Sequence, residues 1–478
     1  MRLSTTSFKT TLVLLLLISA AGCAARATDN PAPPSSATTT AGPPAPSSNA
    51  GDAATPTPLT TVAAEGAITS DAGAASSSAS SPSTPAVIAD WPQWRGVGRD
   101  GNVTGATAPP AWPKELKEVW KTTVGVGHSS PVFAGGKVFV FARQGEEEVL
   151  TALDPSTGKE IWKSGGHAVP YEMNSAARDH GKGPKSTPVV AGGRVYTLGI
   201  SGVLSAHDAA TGRLAWRKEF SKQFPTTSPL YGTAMSPVVE KNLVIAHVGG
   251  HDKGALTAFD TKTGAVKWSF EPDGPSYASP VVTTLGGVRQ VVTFTQKEFV
   301  SVSADFGELL WKLPAKTAYD TNCNTPVVYK DTVIFALEDG GIVAVRPTRQ
   351  GKQWAAPEVW RNADNALYMN TPVVHGNLLF GLSARNKGQL FALDAGTGKT
   401  VWQGPGRAGE NASILNLAGT LLVLLDDATL LVQPATPAGY APAARYTVAN
   451  SPTWAHPLVV GERILIKDET TLRALSLK

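Results

Sequence analysis

The residues best placed for chemistry stand just before a recurring Ser/Thr-Pro-Val segment. They are His128, Lys185, Met235, Tyr277, Asn322, Asn324, Asn370, Glu410, Asn411 and His456. Imidazole, amine, phenol and amide groups held at matching places in successive units converge when the units surround an axis. Such a rim could orient a polar ligand, a peptide or a glycan, by hydrogen bonds. The same groups could equally satisfy buried backbone and ordered water around that axis. His128, Lys185, Tyr277, Asn322, Asn324, Asn370, Asn411 and His456 make up the candidate binding set, with no catalytic residue assigned among them.

Other reactive side chains fall short of a recognisable site. Ser175, Asp179 and His180 share the longest insertion between units, residues 171–185 (YEMNSAARDHGKGPK), which is a second candidate binding element. They lack the Gly-x-Ser-x-Gly elbow of a strand-to-helix turn, so a hydrolase triad is excluded. No CxxC spacing occurs, and no zinc site is expected. Calcium needs six to eight oxygens, and no acidic cluster is spaced for it, although Asp320 and Glu410 lie near strand starts. No metal site is therefore expected. Cys323, between Asn322 and Asn324, reads as a small buried residue beside a strand rather than a nucleophile.

The elements that would position this rim repeat along the chain. Segments of the form S/T-P-V begin at Ser130, Thr187, Ser236, Ser279, Thr325 and Thr371, with degenerate copies at residues 412–417 and at His456. A second apolar strand follows each, after Gly-Gly, Asn or Asp turn signals. A third strand then ends in A-x-D-xx-TG-xxx-W, seen as ALDPSTGKEIW (152–162), AHDAATGRLAW (206–216), AFDTKTGAVKW (258–268) and ALDAGTGKTVW (392–402). Asp and Thr can bond nearby backbone and Gly accepts a positive φ, so this piece is a tight turn. The Trp beyond it is expected to pack between neighbouring units. Eight four-stranded units predict an all-β, eight-bladed β-propeller over residues 89–478. The last unit stops after a third strand, and EVWKTT (118–123) is the expected fourth, closing the ring.

Composition narrows the function. A net charge of +4 with 17% charged residues, scattered rather than clustered, gives no footprint for nucleic acid. Arg2 and Lys9 precede an apolar run at residues 12–18 and then Ala20-Ala21-Gly22-Cys23. That pattern is a secretory signal over residues 1–22, too short to span a membrane. It resembles the lipobox of bacterial lipoproteins, which implies lipidation at Cys23 and, with Ala24 after it, export to the outer membrane of a two-membrane cell. Residues 23–88 are Ala, Ser, Thr, Pro and Gly with few large apolar groups, a composition expected to stay disordered and to act as a tether.

The turn-and-Trp motif resembles the quinoprotein-type repeat, carried by pyrroloquinoline quinone (PQQ) alcohol dehydrogenases and by the outer-membrane assembly lipoprotein BamB. The resemblance covers residues 115–478, and the opening WPQWRG (91–96) looks like the start of many PQQ-like propeller proteins. It implies the fold strongly and activity weakly, because the motif lies in turns and blade packing rather than in a site. The dehydrogenase branch implies PQQ with Ca²⁺ in the axial funnel and, commonly, adjacent cysteines above the cofactor; this chain has no Cys-Cys pair. The expectation is a non-catalytic, monomeric envelope lipoprotein that binds protein partners, the barrel-assembly machinery among them, and faces the periplasm or the cell surface. The alternatives are a PQQ-dependent oxidoreductase and a polysaccharide-binding envelope protein.

Overall fold

The computed structural model describes residues 88–478, apart from 168–170, 172–173, 221, 225–228, 316, 318–319 and 338–339. The signal peptide, Cys23 and all but the last residue of the linker lie outside the described residues. Eight antiparallel sheets of four strands, one with a fifth, form the blades of a β-propeller. Only two short 3₁₀ turns, Ser175–His180 and Arg385–Lys387, break the all-β pattern among the described residues. No helix among them is long and apolar enough to cross a membrane.

Blade 3 shows how sequence makes a blade. Val238–Glu240 lies innermost, followed outward by Leu243–Gly250, Lys253–Asp260 and Val266–Phe270. The two middle strands are buried along almost their whole length and read as continuous apolar runs, because other blades cover both faces. In the outermost strand Val266 and Lys267 are exposed while Trp268 is buried.

The Asp–Thr–Gly turn has the expected mechanics. Asp260 Oδ1 accepts the Lys262 and Thr263 N–H groups and the Thr263 hydroxyl at 2.9–3.0 Å, and the Gly264 N–H donates to the Asp260 carbonyl. Asp154, Asp208 and Asp394 repeat the arrangement. These bonds hold each turn carboxyl below its ordinary range; for Asp260 the Thr263 hydroxyl contributes most.

The glycine serves the neighbouring blade as well. Gly264 has φ +69°, and a Cβ there would stand 2.9 Å from the Trp216 ring of blade 2. Gly158, Gly212, Gly307 and Gly398 meet Trp120, Trp162, Trp268 and Trp360 in the same way. Trp120, Trp216, Trp268, Trp360 and Trp402 each donate their indole N–H to a backbone carbonyl of the next blade at 3.0–3.2 Å. Trp120, Trp216, Trp268 and Trp360 are thus rivets, each with its face on a glycine and its polar edge satisfied, whereas Trp162 keeps the glycine contact but leaves its buried indole N–H without a partner. Blade 4 departs from the pattern: Phe306, 71% exposed, stands where the others have Thr, and Trp311 donates to Gln290 of its own blade.

The chain before blade 1 contributes two pieces. Glu118–Thr123 pairs antiparallel with Thr471–Ser476, outermost in the sheet whose inner strands are Arg463–Lys467 and Leu458–Val460. Asn102–Val103 runs parallel to the inner strand Ala412–Leu417 of blade 7. Between Trp91 and Asn102 the chain passes through the axis, where it shapes the site.

Candidate functional site

Around the axis, the motif Ser/Thr-Pro-Val has a purpose its turn-like composition hides. The Ser or Thr hydroxyl of one blade accepts the backbone N–H of the equivalent residue in the preceding blade. His456 N–H donates to Ser130, Ser130 to Thr187, Thr187 to Ser236, and Ser236 to Ser279, each at 2.9–3.1 Å. Thr325 donates to Thr371 in the same manner. The following Pro has no N–H to leave unsatisfied at the crowded centre.

Extended backbone alternates its side chains, so the residue two places before each hydroxyl also faces the axis. Those residues are His128, Lys185, Ala234, Tyr277, Cys323, Met369, Asn411 and Trp454, one from every blade, and all eight line a cavity of about 140 Å³. The intervening residues point away from it. Met235 packs in the core between blades 2 and 3. Asn324 donates to the Tyr368 and Asn370 carbonyls, and Asn322 to the carbonyls of Thr295, Gln296 and Ala315. These two amides tie loops together. The Asn370 side chain is buried without a hydrogen-bond partner.

Of the candidate set, the structure gathers His128, Lys185, Tyr277, Asn411 and His456 at the cavity, and places Asn322, Asn324 and Asn370 in the walls behind it. Glu410 is exposed beside it. The spacing rule also brings in Met369, Cys323 and Trp454. Counting two residues back from each Ser, Thr or His456 would have found them; counting to the nearest polar residue does not. Trp94 and Tyr231 also line the cavity, and neither has a repeat position to reveal it.

The floor of the cavity is the segment Trp91–Asn102. Trp91 bridges Phe133 of blade 1, and the Pro92 carbonyl accepts the Val190 N–H of blade 2. Trp94 then reaches the axis, where its indole N–H donates to the Thr325 hydroxyl and its ring lies 4.4 Å from His456. Arg95 donates to the carbonyls of Thr371, Pro372 and Asp100, while Arg99 bonds those of Ser236 and Pro237 and the Gln93 side chain. Burial pulls both guanidinium groups below their ordinary range, with Arg95 adding to the effect on Arg99, yet both stay charged at neutral pH. This strap therefore plugs one end of the axial channel and makes the cavity a cup.

The mouth of the cup is edged by the 3₁₀ turn Ser175–His180. His128 Nε2 lies 3.0 Å from the His180 carbonyl and donates to it. The His180 ring packs edge-on against Trp454 and Tyr231, both at 5.0 Å, and Tyr231 in turn against Tyr277 at 5.5 Å. Burial pushes the His128 imidazole down to about 3, helped by the nearby Lys185 charge, and holds His456 well below its usual value. Both rings are neutral near pH 7. Lys185 is brought down to about 8 by burial, opposed by Glu148, and remains mostly charged. A second cavity of about 250 Å³ adjoins the cup behind His128, His180 and Trp454. Among the described residues no group of three or more His, Cys, Asp and Glu side chains is arranged to hold a metal ion.

Comparison with known proteins follows the fold. Among solved structures, BamB from Moraxella catarrhalis superposes with a TM-score of 0.54 at 13% identity, spanning 76% of this chain and 97% of that one. The quinohemoprotein alcohol dehydrogenase ADHIIG from Pseudomonas putida HK5 gives 0.62 at 14% identity, over 81% and 80% of the two chains. At such identity these likenesses speak for the propeller alone. In sequence, the outer membrane protein assembly factor BamB of Yersinia pestis is 24% identical over 369 residues, covering 73% of this chain and 86% of its relative. A family model described as outer membrane protein assembly factor BamB matches residues 145–404, more than half of the chain, and the chain belongs to that family.

Proposed function

We propose that this chain is a non-catalytic envelope lipoprotein that lends a rigid propeller to outer-membrane protein assembly, anchored through Cys23 and bound to the barrel-assembly machinery. The observation that carries this reading is the family match across residues 145–404, with relatives named as assembly factors. A ring whose blades are riveted at most of their seams suits a rigid docking platform. The propeller acts as a monomer in the periplasm on this reading.

The dehydrogenase reading draws on the shared fold and the axial cup. The donor set does not fit a quinone paired with calcium. Among the described residues no carboxylate lines the cup, and Cys323 has no cysteine neighbour.

The test is co-purification of the tagged full chain from gently solubilised envelopes. Recovery of barrel-assembly components supports the proposal. Their absence, under conditions in which that machinery itself stays assembled, overturns it. Dye-linked alcohol oxidation after adding PQQ and Ca²⁺ would instead favour the dehydrogenase.

A further inference from the structure

We propose that the axial cup is a binding site for a small aromatic carboxylate, a single planar ring bearing one anionic group. The inference goes beyond the assembly reading and does not depend on it. It rests on the shape, the walls and the hydrogen-bonding balance of the cup.

Shape comes first. A cavity of about 140 Å³ is close to the roughly 150 Å³ engineered cavity known to take up benzene, which suits one ring and its substituent. The strap closes the far end with Trp94, so a ligand enters and leaves by the mouth beside His180. The walls suit an aromatic guest. Trp94, Trp454, Tyr231 and Tyr277 border the space, and ring-on-ring packing adds about 0.5–1.5 kcal/mol per pair beyond area burial.

The polar groups then fix the sign of the ligand's charge. Among the described lining residues Lys185 is the only Lys or Arg, and none is Asp or Glu. One ammonium proton goes to the Gly181 carbonyl at 3.2 Å. An ammonium has three protons, and the other two have no hydrogen-bond acceptor among the described residues. Ser236, Ser279 and Thr371 use their oxygens to accept backbone N–H groups, which leaves each hydroxyl proton to donate. The wall is thus rich in donors and in need of acceptors, as a carboxylate would supply. Two buried acceptor-capable atoms, Asn411 Oδ1 and His456 Nδ1, also lack partners and could take a ring hydroxyl.

Benzoate and 4-hydroxybenzoate are the probes, titrated into the full chain with tryptophan emission and calorimetry as readouts. Saturable quenching is expected for both, with benzylamine and benzyl alcohol giving none. Lys185→Met should weaken benzoate by about tenfold or more, equivalent to losing one charge-assisted bond. Ala234→Phe, which fills the cup from a different blade, should abolish binding with Lys185 intact, so a fold defect in one variant does not decide the matter. Affinity should fall as pH rises through about 8, where Lys185 loses its proton; Glu148 and His128 interact with it electrostatically, and His180, Tyr231, Tyr277, Cys323 and His456 share the wall. Three results overturn the proposal: benzylamine or benzyl alcohol binding as well as benzoate, Lys185→Met keeping affinity within about twofold, or a peptide with a free aromatic C-terminus displacing benzoate at far lower concentration. The last would assign the cup to a polypeptide terminus.

Discussion

Blade 3 meets its neighbours at Thr263–Gly264 on the outside and at Ala234–Ser236 beside the axis. At the outer contact the sequence has almost no freedom. Gly264 must leave room for Trp216, and its φ of +69° penalises any side chain. At the inner contact Ser236 is equally fixed, because its hydroxyl takes the Thr187 N–H. Two residues earlier that constraint disappears. Ala234 has His, Lys, Tyr, Cys, Met, Asn and Trp as its counterparts in the other seven blades. Repetition in this chain follows contact between blades, and variety follows exposure to the cup.

The largest test of that contrast is Trp268→Ala, which removes a rivet between blades 3 and 4. Loss of about 3–5 kcal/mol in denaturant unfolding is expected, and a loss near zero would mean the seam is not what holds the blades. His247, in the second strand of the same blade, samples the packed interior between the two contacts. Burial lowers its imidazole to about 4, opposed by a bond to the Asp273 carbonyl. A folded value below the unfolded 6.5 means full stability above pH 6.5 and a progressive loss as pH falls toward 4. That loss should reach about 3 kcal/mol, and a His247→Gln variant should flatten the pH profile across this window.

Gly264→Ala should cost about 2–3 kcal/mol, combining backbone strain with displacement of the Trp216 ring. Ser236→Ala leaves the buried Thr187 N–H without its acceptor, at about 1–2 kcal/mol by thermal or chemical unfolding. The smallest effect belongs to the cup: Met369→Leu should stay within about 0.5 kcal/mol. A large loss there would erase the distinction between fixed and free positions.

The same distinction explains what was legible in the sequence. Turn chemistry is local: Asp260, Thr263 and Gly264 lie within five residues, so their motif announces both the turn and the blade count. The rivet could be anticipated from Trp spacing, whereas its glycine seat lies in another blade and shows only in the fold. The cup was half legible. His128, Lys185, Tyr277, Asn411 and His456 stand out as polar residues before strands. Ala234, Cys323 and Met369 carry no chemical signal, and only the alternation of extended backbone identifies them. Asn322 and Asn324 drew notice for the amide that the structure uses to bind loop carbonyls. Arg95 and Arg99 gave no hint of their role, because their acceptors in the blades lie between 137 and 277 residues away along the chain.

The strap at Trp91–Asn102 has a consequence for how the chain acquires its shape. It is synthesised ahead of every blade, yet Arg95 bonds Thr371 and Pro372, and Asn102 lies beside Asn416. Those acceptors exist in place only after blades 6 and 7 have formed, and Lys467 binds the Gly127 carbonyl 340 residues away. Such long-range closure slows folding and lengthens the time that unpaired strand edges are exposed. The strap thus precedes every blade in the chain, while its seat is complete only with blades 6 and 7 in place.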